Sequence, residues 1–281
     1  MTNAIGEKRR TSRLVAHSPS TVADALALLQ THGRDATICM GGTDLVPRLQ
    51  TPIERDRHVI CCSRIAQLRH IEHAAGFVEL GAGATYRELA HDDVVTAVLP
   101  SLAALAGRIA NPRVRNRGTL GGALCAARDR SDPPTLLAAL SATAIVVSTR
   151  GERALPIEQL IKGRRRTALA HDELLTCIRV PSPGAATVGF ERVGSSQGPL
   201  VNVAVSVHQD TTRLSVGGVA PAPTVVDLAG DADVARARVT ARALAEQSWT
   251  ADGALISQWY GGEVASRLVG RLLGTGTGGS T

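Results

Sequence analysis

Two glycine turns carry the residues best suited to chemistry. The first is Met40-Gly41-Gly42-Thr43-Asp44-Leu45 and the second is Gly118-Thr119-Leu120-Gly121-Gly122-Ala123. Glycine lets a backbone approach a ligand closely and reach positive φ, so successive N–H groups can converge on an anion. Thr43 and Thr119 each add a hydroxyl donor. Two such turns suit a ligand with two phosphates. Neither is completed by the lysine of a nucleoside-triphosphate loop. Asp44 and, beyond the second turn, Asp132 do not favour phosphate directly; a carboxylate is better suited to ribose, ribityl or ring N–H groups. A dinucleotide with a polyol or a donor-bearing ring therefore fits better than ATP, although a plain tight turn would explain either motif alone.

The first turn ends a predicted strand. The run from Ala36 to Met40 is short and apolar and leads straight into Gly41; a short helix from Leu45 to Leu49 follows, stopped by Pro52. Upstream, Thr21 with Asp24 approximates a capping box for a helix bearing Ala25, Leu26, Leu28 and Leu29 on one side, and Gly33 closes it. Residues 1 to about 15 are polar and basic and are expected to be loose. A strand from His58 to Cys62 completes a small α/β unit over residues 1–65, with its turn at a strand end, where ligand loops commonly sit.

The second turn lies in the stretch from Asn111 to Leu140. Arg113, Arg115 and Arg117 precede it, and a short apolar run, the pair Ser131-Asp132, two prolines and an apolar helical segment follow. Strands are predicted from Phe77 to Leu80, Thr143 to Thr149 and Glu173 to Val180, with a helix from Leu99 to Ile109, giving a second small α/β unit over residues 66–183. Gly81-Ala82-Gly83-Ala84-Thr85-Tyr86 begins like GxGxxG, but Tyr86 stands at the last glycine position, so the dinucleotide fingerprint fails. Thr85 to Glu88 reads instead as a capping box. From residue 184 the pattern changes to strands from Thr187 to Val193, Leu200 to His208 and Arg213 to Val219, then helices from Ala232 to Gln247 and Leu255 to Leu273. The predicted class is α+β: the two small α/β subdomains, a C-terminal antiparallel sheet with helices over 184–273, and a flexible tail, 274–281.

Composition narrows the function. The 281 residues carry a net charge of +6 but only 2% aromatics, so platforms for stacking bases are few and nucleic acid is not expected as a partner. Five scattered cysteines, without a CxxC, argue against a disulfide framework. No histidine-rich partner set suggests zinc, and no place for an iron–sulfur cluster is evident in this chain. Arg9-Arg10 lacks the apolar run that a twin-arginine start needs, and no stretch approaches a membrane span. The expected location is the cytoplasm, with no membrane insertion.

Four ordered motifs resemble the FAD-binding (medium) subunits of the molybdenum hydroxylases. Met40 to Pro47 matches a motif of the type AGGxxLxP, and Arg115 to Ala123 one of the type RxxGTxGGN. Ser131-Asp132-Pro133-Pro134 and the segment from Leu174 to Pro181, of the type LLTxIxxP, match two later ones in the right order. The resemblance covers about residues 12 to 273. It implies that the first two subdomains form an FAD-binding domain and clamp FAD between them. The implied cofactor contacts are Met40, Gly41, Gly42, Thr43, Asp44, Leu45, Gly118, Thr119, Gly121, Gly122, Ala123, Cys125, Ser131, Asp132, Ile178 and Leu200. It also implies electron transfer from a 2Fe-2S subunit, itself fed by a molybdopterin subunit, to a terminal acceptor. No catalytic acid or base is implied, since the cofactor carries the redox chemistry. Three departures stand out: Ala123 replaces the asparagine that usually follows the second glycine pair, Leu200 replaces a tyrosine, and the segment from Ala127 to Arg130 is unusually charged. A stand-alone FAD-dependent oxidoreductase, and a scaffold member that has lost flavin, remain as alternatives.

Overall fold

The computed structural model describes residues 14–49, 58–195, 198–230, 233–249 and 256–274. The expectations for the first 13 residues, for Pro52 and for the tail beyond Gly274 lie outside these residues.

The first unit is built on a three-stranded parallel sheet in the order Val15–His17, His58–Cys61, Ala36–Cys39. The helix Val22–His32 covers it. Thr21 accepts from the Asp24 N–H at 3.1 Å, and Gly33 ends the helix at φ +52°. Ala25, Leu26 and Leu29 are buried against Ile60, Cys62, Ile65 and Leu68. The strand Val15–His17 overlaps the segment expected to be loose. Three residues are too few to show a period in sequence, and the partner strand starts 41 residues beyond its last residue, from His17 to His58.

The second sheet has five strands in the order Ile71–Ala74, Phe77–Gly81, Leu174–Pro181, Thr143–Ser148, Gly151–Pro156, and every pair is antiparallel. Its first hairpin turns at Ala75 (φ +51°) and Gly76 (φ +81°). Two successive positive φ angles give the twist that a tight antiparallel turn requires. The Leu174–Pro181 strand is the central one of the five and has no exposed residue. Helices Tyr86–His91, Asp93–Val98, Pro100–Arg108, Leu120–Ala126 and Pro133–Ala139 share one apolar core with this sheet around Leu89, Leu102, Leu120, Leu124 and Leu136, and Pro133–Ala139 also lies against the C-terminal sheet. The expected capping box at Thr85 is complete, with Glu88 returning the bond to the Thr85 N–H at 2.8 Å.

The C-terminal sheet is a meander of four antiparallel strands, Thr187–Ser195, Gly198–Val207, Thr211–Gly217 and Thr224–Ala229. The last of these was not expected. The helices Val234–Ser248 and Gln258–Gly274 pack on it over Val203, Val205, Leu214 and Val216. Among the described residues, no helix is long and apolar enough to cross a membrane.

Candidate functional site

The two glycine turns meet at a cleft of about 510 Å³, which falls in the range of small-molecule sites. Fourteen of the sixteen expected contacts line it: residues 40–45, Gly118, Thr119, Gly121, Gly122, Ala123, Cys125, Ser131 and Asp132. Ile178 and Leu200 do not. Ile178 is fully buried in the middle of the second sheet, paired with Leu80 and Ala144, so its side chain belongs to the core. At the end of the C-terminal sheet, Gly198 and Pro199 reach the cleft in place of Leu200.

The first turn leaves the Ala36–Cys39 strand and enters the short helix Leu45–Leu49. Gly42 adopts φ +72°, a conformation glycine takes without strain. The Gly42 carbonyl accepts from the Val46 N–H at 3.0 Å. Among the described residues, the N–H groups of Gly42, Thr43, Asp44 and Leu45 have no protein acceptor. A row of unengaged donors on a wall of a cleft is a nest for an anion.

The second turn caps the helix Leu120–Ala126, and its N–H groups from Leu120 to Ala123 are engaged. The Leu120 N–H donates to the Ala84 carbonyl and the Gly121 N–H to the Ala82 carbonyl, both at 3.0 Å. The Gly122 N–H donates to Thr119 Oγ1 at 3.1 Å, and the Ala123 N–H to the Thr119 carbonyl at 3.0 Å. A Cβ on Gly121 would lie 2.5 Å from that of Ala82. These glycines serve close packing. The two turns also touch: a Cβ on Gly41 would overlap the Arg117 carbonyl, and Arg117 Nε donates to the Gly41 carbonyl at 3.3 Å.

The charged loop before Asp132 has a clear role. Arg130 donates to the Pro199 carbonyl at 2.9 Å and to the Gly198 carbonyl at 2.8 Å, which pins the C-terminal sheet to the cleft. Arg128 lies 3.8 Å from Asp44, which also accepts from Arg165 at 2.6 Å and pairs with Arg48 at 3.5 Å. Burial by itself pushes the Asp44 carboxyl up, but the bonded Arg165 and the nearby Arg128 and Arg48 outweigh it and hold the group below its ordinary value. Asp132 is nearly buried; it accepts from Arg192 on one oxygen and from Asn202 Nδ2 at 2.9 Å on the other. Asn202 in turn accepts from Thr135 at 2.9 Å. Both aspartates are therefore committed to protein partners.

Tyr86, the residue that broke the glycine pattern, lines the cleft. It is 5% exposed, and its phenol oxygen has no hydrogen-bond partner among the described residues. Burial, aided by the charge of Asp132, pushes the phenol up, so it remains a proton donor. Tyr86, Asn202 and Arg192 were missed because their roles depend on contacts across the fold, and Arg130 was legible only as part of a charged segment. For Tyr86, the only signal was its position in the capping box.

Residues 10–183 match the family described as FAD binding domain in molybdopterin dehydrogenase. The chain belongs to this family. It is 35% identical over 170 residues to the carbon monoxide dehydrogenase medium chain of Hydrogenophaga pseudoflava, covering 60% of this chain and 59% of that one. It is 34% identical over 200 residues to the nicotine 6-hydroxylase medium subunit of Paenarthrobacter nicotinovorans, covering 70% of each. The sequence match thus spans about three fifths of the first relative's length. The fold match extends further: a structure of carbon monoxide dehydrogenase from Hydrogenophaga pseudoflava superposes with a TM-score of 0.83 at 27% identity, covering 93% of this chain and 96% of that chain. Membership in the FAD-binding family accords with a cleft built around a donor nest.

Proposed function

We propose that this chain holds FAD in the cleft and serves as the electron-transferring flavin subunit of a molybdenum hydroxylase-type complex. The observation that carries the proposal is the row of unengaged N–H groups from Gly42 to Leu45 on the wall of the cleft. These donors fit a pyrophosphate, with the Thr43 hydroxyl beside them. The arginines lining the cleft, Arg48, Arg128, Arg130 and Arg192, favour an anion, and Asp44 and Asp132 hold three of them in place. Tyr86 offers a phenol donor, and Ala123, Cys125 and Ser131 contribute small side chains to the wall. Gly118, Thr119, Gly121 and Gly122 shape the opposite wall through the helix that they start. Bound there, the isoalloxazine would supply the redox chemistry, accepting electrons and passing them on.

The proposed division of the chain is 1–65, 66–183 and 184–273, supported by three apolar clusters centred on these segments. The proposed partners are a 2Fe-2S subunit and a molybdopterin subunit, supported by relatives named as the medium components of dehydrogenases and hydroxylases. The proposed location is the cytoplasm, supported by five cysteines that are all free. The test is co-expression with the neighbouring subunits, followed by purification and extraction of flavin. One FAD per copy of this chain, in a complex with an iron–sulfur and a molybdopterin subunit, is expected. A colourless chain that cannot be reconstituted with FAD would overturn the reading.

A further inference from the structure

Three histidines, distant in sequence, meet on the helix-covered side of the parallel sheet. His17 ends the strand Val15–His17, His58 opens the strand His58–Cys61, and His32 ends the helix Val22–His32. His17 Nε2 lies 3.0 Å from His58 Nδ1. The His32 and His58 rings stack with centroids 3.7 Å apart, and the His17 and His32 centroids are 4.9 Å apart. One nitrogen from each of the three falls within 4.8 Å of the others, and each residue is half-buried. None of them lines the FAD cleft.

We propose that His17, His32 and His58 form a binding site for one divalent ion of the zinc class, which clips the short edge strand to the helix and to the strand beside it. Imidazole nitrogen suits zinc, nickel and copper better than calcium or magnesium. A tetrahedral zinc with Zn–N bonds of about 2.0–2.1 Å holds its ligand nitrogens roughly 3.4 Å apart. The His17–His58 separation of 3.0 Å lies just below that value, and the other two pairs fall within 4.8 Å. The stacked His32 and His58 rings must turn to converge on one ion. His32 stands in the last turn of an eleven-residue helix, where the carbonyl end of the helix dipole favours a cation. Three imidazoles leave a fourth position for water. The clip serves a real need, because the edge strand is held by only three register pairs.

The test uses the untagged full chain, stripped with chelator and titrated with zinc by calorimetry. One equivalent is expected to bind and to raise Tm by about 5 °C at a hundredfold excess over Kd. His17→Ala and His32→Ala should each weaken zinc binding roughly tenfold or more. Because a variant could fail to fold, cobalt(II) substituted into the unaltered chain gives an independent reading. A tetrahedral d–d spectrum without a thiolate charge-transfer band is expected. No binding, binding unchanged in both folded variants, or a thiolate band pointing to Cys39 or Cys61 would each overturn the proposal. FAD content is read separately, so failure here leaves the flavin reading untouched.

Discussion

Gly41-Gly42 and Gly121-Gly122 are both glycine pairs beside a threonine at the start of a helix, yet their backbone donors have opposite fates. The N–H groups from Gly42 to Leu45 are unengaged and belong to residues that line the cleft. Those of Leu120, Gly121 and Gly122 are bonded to Ala84, Ala82 and Thr119. In the first turn, glycine leaves backbone donors without protein acceptors, as the proposed FAD site requires. In the second, it lets a helix start lie directly against the Gly81–Ala84 turn. A glycine-rich motif thus reports that something comes close, and only the surrounding fold decides whether that is a phosphate or another stretch of chain.

Substitutions can break this contrast. Gly41→Ala should have the largest effect, because the new methyl overlaps the Arg117 carbonyl where the two turns touch. A stability loss of about 3 kcal/mol, the upper end of overpacking, is expected in thermal or denaturant unfolding, together with loss of FAD. Gly121→Ala drives a methyl against Ala82 and should cost about 2 kcal/mol of apoprotein stability. Its FAD affinity, measured on the folded fraction, should change little. Gly42→Ala should do the reverse. Its φ of +72° imposes strain of about 1–2 kcal/mol. The empty turn can relax that strain by shifting, so the effect should appear as a roughly tenfold rise in the Kd for FAD by fluorescence titration. Equal losses of stability and affinity in the Gly121 and Gly42 variants would erase the distinction.

Asp44→Asn probes the charges around the first turn and should have the smallest effect. The folded carboxyl is held below its ordinary value of 3.8, so its contribution is present above that value and fades as pH falls through the lowered one. At pH 7 the variant should be less stable by about 1 kcal/mol. The gap should close in strong acid. A gap that widens on acidification would show that Asp44 does not stabilise its arginines.

Much of the fold was legible where local chemistry sets it. The cap at Thr21, the capping box at Thr85, the close at Gly33 and the strand that runs into the first turn all depend on neighbours within a few residues. Long-range pairing was not legible. The Ala75-Gly76 turn lacks the usual asparagine or aspartate of a tight hairpin, so the antiparallel run of the second sheet left little trace. Ile178 sits in a matching motif but is fully buried in the central strand of that sheet, which removes it from the cleft. The place of Asp132 on the cleft wall was legible; its bonds to Arg192 and Asn202 were not, because they join segments 60 and 70 residues apart. The histidine cluster was invisible for the same reason: its members are spread from residue 17 to residue 58.

The most direct test is backbone hydrogen exchange across both turns, with and without FAD. Donors that are already bonded exchange slowly in the empty protein, whereas unengaged ones exchange fast until a ligand takes them. FAD should therefore slow exchange strongly from Gly42 to Leu45 and leave Leu120 to Ala123, already protected, nearly unchanged. Protection gained equally in both turns, or at the second turn alone, would contradict the account.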